Sequence, residues 1–357
     1  MAMVKARAWI RSQPLPKLLG IIVGVCAVLG VLVPLLLVVS QRWTVLRARK
    51  AHPAPGRIID VAGQRMHLFC DGSAKPNEAI VVIDADVAAF TLDWVAVQRA
   101  LVSDHRVCLV DRAGYGWSER VAGDRSAQQV ALELHALLLA AGEPGPYILV
   151  GHGLGAVHAQ LYAARYPEET AGLVLIHPVT DVDLSETRSR GLQRRLGFYE
   201  QMRGLTASGL LGLVRPWVKG ASPPWVNDLP EDVRESYLAL LQDRAFYETA
   251  IAETESVAAS LGQVHSALRG VLPLQGLPLV VLTAAKSAPP DAGPLSQQTV
   301  PTPDDVVAAH RAIAAFSVRG ERRMLGRSGP RVAIDAPEAV TAAVRDVVAM
   351  VRVVGEP

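Results

Sequence analysis

The nine residues Tyr147-Ile148-Leu149-Val150-Gly151-His152-Gly153-Leu154-Gly155 restrict this chain more than any other stretch. An apolar run with the character of a buried strand enters a turn with glycine at every second position. A segment of helical period follows over Leu154–Tyr166. A strand that passes through so tight a turn directly into a helix is one β-α unit. At Gly151 and Gly155 the turn leaves no room for side chains.

The same alternation runs along most of the chain. Strand patterns are expected at Arg57–Val61, Arg65–Phe69, Ala79–Ile83, Arg106–Val110, Tyr147–Val150, Gly172–Ile176 and Leu279–Leu282, with an edge strand at Arg322–Leu325. The first two read as a hairpin across Ala62-Gly63-Gln64. Helical periods fall at Leu92–Leu101, Ala127–Ala141, Leu154–Tyr166, Asp304–Phe316 and Pro337–Val351, the last with proline at its first position. This order predicts an α/β class: a mostly parallel twisted sheet with helices on both faces. Between Asp181 and Gly276 the strand pattern stops. That stretch reads as a helical cap over the sheet's C-terminal edge, broken at Pro223-Pro224 and Pro230. The expected divisions are a tail over 1–17, a transmembrane helix over 18–40, a linker over 41–56, a first core part over 57–180, the cap over 181–276 and a last core part over 277–357.

The membrane expectation rests on Leu18–Ser40, which contains no charge. At about 1.5 Å per residue it spans roughly 30 Å or slightly more, the thickness of a bilayer's hydrocarbon. A cleaved signal peptide is the competing reading, since small Ser40 ends the run. Its apolar part would normally be shorter, about 7–15 residues. Lys5, Arg7, Arg11 and Lys17 precede the run, and Arg42, Arg47, Arg49 and Lys50 follow it, so positive charge alone does not orient it. The short tail favours a single-pass protein with its body outside the cytoplasm. Gly20 and Gly24 have the spacing that lets a second helix approach closely, so membrane proteins are the expected partners. Pro34 is expected to bend the helix.

With 36 basic and 34 acidic residues the charge nearly cancels, and no basic tract suggests nucleic acid. Three cysteines exclude a disulfide-scaffolded miniature domain, and none has the CxxC spacing of a metal site. No cofactor or metal is expected.

Further segments sharpen the fold: Asp111-Arg112-Ala113-Gly114-Tyr115-Gly116-Trp117-Ser118 after the fourth strand, Leu92-Asp93-Trp94, and Ala163-Ala164-Arg165-Tyr166-Pro167. With the glycine turn, they make the chain resemble the membrane-anchored α/β-hydrolase family of bacteria, from about Leu18 onward. Asp111 and Arg112 are expected to hold their loop by hydrogen bonds. The resemblance implies a nucleophile elbow, G-x-S-x-G, with a serine at the middle position. Here that position is Gly153, followed by Leu154. The general base would be a histidine in a segment that reads Ser328-Gly329-Pro330-Arg331-Val332-Ala333-Ile334-Asp335-Ala336-Pro337, which puts Pro330 in its place. Ser287 falls near the expected acid, in Thr283-Ala284-Ala285-Lys286-Ser287. The oxyanion loop, normally glycine-rich, reads Asp84-Ala85-Asp86-Val87-Ala88-Ala89, and His177 stands where an aspartate often follows the sixth strand.

These departures predict a degenerate, non-catalytic relative in which Gly153, Leu154, Asp86, Ser287 and Pro330 are vestigial positions. Losing either serine or histidine from a triad costs about a million-fold in turnover, and a carboxylate at Asp86 would oppose any developing oxyanion. Ser118 and Ser287 have neither an elbow nor a matched histidine. His152 is expected to pack inward. Asp86 and His177 are expected as a hydrogen-bonded pair, with a ligand-binding role as the alternative. Trp94, Trp217 and Trp225 are expected in packing. The resemblance makes the strands of Cys70 and Cys108 neighbours, so a disulfide between them is open, against two buried thiols.

Overall fold

In the computed structural model, residues 15–73, 78–210, 223–269, 274, 276–288, 298–326 and 328–355 are described. Trp217 and the basic residues of the N-terminal tail before Lys17 lie outside them.

Helix α1 runs without interruption from Leu15 to Ala51, with Pro34 inside it. The expected linker over 41–56 is therefore helical as far as Ala51. Gln41–Ala51 is dominated by helix formers, and no glycine or proline interrupts it until Pro53. Two polar contacts also fasten this half of the helix to the cap. Gln41 Nε2 donates to the Gln242 carbonyl at 3.2 Å, and Arg49 pairs with Asp243 at 2.8 Å.

The sheet has eight strands: β1 (Arg57–Val61), β2 (Gln64–Asp71), β3 (Ile80–Asp84), β4 (Val107–Asp111), β5 (Tyr147–His152), β6 (Thr170–Ile176), β7 (Leu279–Ala284) and β10 (Gly320–Leu325). Their order is β1-β2-β4-β3-β5-β6-β7-β10. The first two pairings are antiparallel and all the others parallel. The central strands β3 to β7 are buried at every residue except half-buried Ala171, as strands covered on both faces must be.

Side chains alternate between two cores. Ile80 and Val82 face one of them, with Leu134, Leu137, Tyr162 and Leu261. Those residues come from α3 (Ala127–Ala141), α4 (Leu154–Arg165) and α7 (Arg244–Leu268). Val81 and Ile83 face the other, with Trp94, Leu101, Val340 and Val347. The covering helices there are α2 (Val95–Leu101) and α10 (Pro337–Gly355).

Among the described residues, the cap contains α5 (Glu186–Ser208), α6 (Glu231–Leu240) and α7. It joins the body through a third apolar cluster in which Phe90 stacks on Tyr237 at 4.7 Å and Tyr115 meets Phe246 edge-on. A two-stranded ribbon, β8 (Lys286–Ser287) with β9 (Val300–Pro301), precedes α8 (Asp304–Ala314), and α9 (Val332–Asp335) precedes α10. Cys70 and Cys108 are register partners on β2 and β4, and their sulfurs are bonded.

Candidate functional site

At the C-terminal end of β5 the chain turns through Gly153 into α4. Gly153 has φ +55° and ψ −115°, a conformation that strains any residue with a side chain. A side chain at Gly151 would overlap the Gly155 carbonyl and the Ala156 backbone, and one at Gly155 the carbonyls of Asp84 and Ala85. The sharp elbow is thus fully built, and both outer glycines are required by close backbone approach.

The middle position is occupied from outside. A side chain on Gly153 would overlap the carboxylate of Asp86, which arrives from the loop after β3. Asp86 Oδ1 accepts hydrogen bonds from the amides of Val87 at 2.8 Å and Leu154 at 2.9 Å. Those are the amide after the elbow and an amide of the β3–α2 loop, the two positions from which this turn would present donors to an oxyanion. One fixed carboxylate oxygen therefore engages both.

Arg112 holds the loop that carries Asp86. Its guanidinium donates to the carbonyls of Ala85 and Asp86, at 2.6 and 3.0 Å. It also pairs with Asp84 and, through two parallel bonds of 2.7 and 2.8 Å, with Glu253 of the cap. Tyr115 Oη donates to Glu253 and accepts from the Ala88 amide. His158 Nδ1 pairs with the second oxygen of Asp84 at 2.7 Å. Burial raises the Asp84 carboxyl, but Arg112 and His158 outweigh it and bring the group down to about 2. The neighbouring loop is held as expected for Asp111: its Oδ1 accepts from the amide and hydroxyl of Thr91, and its Oδ2 from His67 Nδ1 and the Trp117 amide.

Two histidines lie on the same edge. His152 is buried, as its place before the turn predicts, with its ring edge-on to Trp94. Its Nε2 donates to the Pro330 carbonyl at 3.1 Å, so the segment of the expected base does approach the elbow, with a carbonyl in place of a titrating side chain. His177 has φ +41°, and its Nδ1 accepts from the Ala284 amide at 3.3 Å. Burial and then the proximity of His152 push His177 down to about 4. His310, edge-on to His177, is also pushed down to about 4 by burial. Its Nε2 donates to the Pro178 carbonyl, and its Nδ1 accepts from Thr283 Oγ1.

The expected hydrogen bond between Asp86 and His177 is not formed. Asp86 is turned to the backbone amides of the elbow, and His177 to the end of β7. Both residues do stand at the C-terminal edge of the sheet, Asp86 after β3 and His177 after β6. Ser287 lies in the β8–β9 ribbon, paired with Val300. Ser118 is buried, and its hydroxyl bridges the Asp111 carbonyl and the His67 amide. Trp94 packs in the core, while Trp225 lies under the Arg331 guanidinium at 3.7 Å. Sequence reasoning missed Glu253. It sits in an ordinary helical pattern, and only its buried partner Arg112 distinguishes it.

A family model described as alpha/beta hydrolase fold matches residues 86–213. The chain is 24% identical over 193 residues to the uncharacterized protein YbdG of Bacillus subtilis, covering 51% of this chain and 59% of that one. It is 32% identical over 131 residues to the 2-hydroxymuconate semialdehyde hydrolase of a Pseudomonas species, covering 37% and 46%. The matched region thus spans less than two thirds of these relatives. Among solved structures, a thermophilic esterase from Thermogutta terrifontis aligns with a TM-score of 0.54 at 18% identity, covering 82% of this chain and 97% of its own. An enol-lactonase from Burkholderia xenovorans aligns with a TM-score of 0.55 at 17% identity, covering 82% and 100%. The chain has the α/β-hydrolase fold, with a helical cap inserted after β6 and one long apolar helix in front.

Proposed function

We propose that this protein is a membrane-anchored, non-catalytic member of the α/β-hydrolase fold, a structural subunit for other membrane proteins. The observation that carries the reading is Asp86 Oδ1 on the amides of Val87 and Leu154, beside a residue with no side chain. A negative charge fixed where negative charge would have to develop raises the barrier that such a site exists to lower. Pro330, in place of a titrating base, supports the same conclusion.

The anchor is α1, which is long and apolar enough to cross a bilayer. Its continuation into a half that docks on the cap favours a retained helix over a cleaved signal. The Cys70–Cys108 disulfide suits a body outside the reducing cytoplasm. Gly20 and Gly24 lie on the open face of α1, where a partner helix can approach.

Purification from membranes in mild detergent tests the structural role. Recovery with other membrane proteins in fixed ratio is expected, and a protein recovered only as monomer rejects the role. A chromogenic short-chain ester tests the loss of chemistry. Turnover that disappears in Asp86→Asn would mean that the relocated carboxylate had become the working group, and would overturn the non-catalytic reading. Asp86 and His177 together also offer a non-catalytic ligand site. Native mass spectrometry of the purified chain with lipid extracts addresses that alternative.

A further inference from the structure

The docking of α1 on the cap fixes where the cap stands relative to the apolar run. The C-cap of α5 is Gly209, with φ +75°, and it packs so closely on α1 that a side chain there would overlap the Leu37 carbonyl. Leu37 lies inside the uncharged run, one turn before its end at Ser40 and about 7–8 Å along the axis from Arg42. Leu210, next in the chain, is exposed, as are Leu36 and Val39 of α1 at the same level. The contacts of Gln41 and Arg49 with the α6–α7 junction hold this arrangement one to three turns further along.

Just beyond the contact, Arg42, Trp43, Leu46 and Arg47 form an exposed strip of α1, at the one-turn spacings that share a helix face. A tryptophan and a leucine between two arginines suit the membrane–water boundary, where the ring lies among headgroups and the cations reach phosphates.

We propose that the Gly209–Leu210 edge of the cap is seated in the interfacial layer of the leaflet from which α1 emerges, with lipid as its partner. The proposal rests on α1 being a membrane anchor. If Leu18–Ser40 fills the hydrocarbon, the level of Leu37 lies at the boundary of acyl chains and headgroups. Gly209 and Leu210, in contact with α1 there, share that depth. The cap is then a peripheral membrane contact, and the elbow beneath it lies on the membrane side of the body.

The test uses the full chain in phosphatidylcholine–phosphatidylglycerol vesicles, in a Cys26→Ser background. Cys26 is the free cysteine, so each introduced thiol can then be labelled alone. An environment-sensitive fluorophore is placed at Leu29→Cys, Leu210→Cys or Val318→Cys. Val318 is 79% exposed and precedes β10, at the end of the parallel strands opposite the cap. Quenching is read with lipids carrying a nitroxide near the headgroup or near the chain end.

The expected result is deep quenching at 29, and shallow quenching at 210 several-fold above the background level at 318. Quenching at 29 with 210 no different from 318 overturns the proposal and leaves the anchor standing. No quenching at 29 removes the anchor, and the proposal with it. Efficient oxidative cross-linking between two Leu210→Cys chains, without lipid quenching at 210, would identify a second copy as the occupant and also overturn it.

Discussion

Asp86 Oδ1 lies 2.9 Å from the Leu154 amide, and the Asp86 carboxylate fills the space that a side chain on Gly153 would need. The two positions are coupled: one can hold a side chain only if the other gives way. Gly153→Ser alone is expected to destabilise, through this overlap and through the strain of a positive φ, on the order of 1–3 kcal/mol for the backbone alone. Gly153→Ser with Asp86→Gly should recover the part due to overlap, a non-additivity of about 1 kcal/mol or more. Thermal melts of the four proteins in detergent measure it, and strictly additive effects would refute the coupling.

The double variant restores a hydroxyl and frees the two amides, yet Pro330 still supplies no base. It is expected to show no ester turnover above the unmodified protein. Adding Pro330→His supplies the missing group, and detectable p-nitrophenyl ester hydrolysis is expected only then. Activity in the double variant would show that His152 or His177 already acts as base.

Arg112 and Glu253 form a buried two-bond ion pair between the loop after β4 and cap helix α7. Removing one partner of such a pair leaves an uncompensated charge, at a cost of about 3–5 kcal/mol. Glu253→Ala should therefore lower the melting temperature markedly and increase proteolysis of the cap. A change within measurement error would mean that Asp84 and the loop carbonyls satisfy Arg112 alone.

The Cys70–Cys108 bond closes a loop with a sequence separation of 38. Such a crosslink typically contributes about 2–4 kcal/mol. Reductant, or Cys70→Ser with Cys108→Ser, should lower the melting temperature, and alkylation without reductant should modify Cys26 alone. Alkylation of all three would disprove the bond.

Burial of His177 and His310 gives a pH dependence with a definite sign. Both are down at about 4 in the fold, against 6.5 for the free side chain. The unfolded chain therefore binds more protons between those values. Stability is fully present above pH 6.5, declines as pH falls through 6.5 toward 4, and levels off below. Asp93 acts oppositely: burial raises it from 3.8 to about 6, so its contribution is lost as pH rises through that range. Two histidines outweigh one aspartate, so net stability should fall by a few kcal/mol, in order of magnitude, from pH 7 to pH 4.5. Urea unfolding of the unmodified protein and of His310→Asn at both pH values measures the slope, which should be shallower in the variant.

The sequence alone determined the alternation of strands and helices, the glycine elbow, the absence of a hydroxyl at Gly153 and the apolar run over Leu18–Ser40. Local patterns carry these features, because burial on both sheet faces demands apolar runs and a tight turn demands glycine. Four features were decided only by the tertiary structure. Asp86 enters the elbow instead of pairing with His177, because two backbone amides from different segments converge on one oxygen. Glu253 becomes the partner of Arg112 across 141 residues. The half of α1 after Ser40 docks on the cap, through Gln41 to Gln242 and Arg49 to Asp243. Gly209 meets Leu37, which sets the depth of the cap against the apolar helix. Each of these depends on groups far apart in the chain, and their meeting is fixed only when the sheet, the cap and α1 pack together.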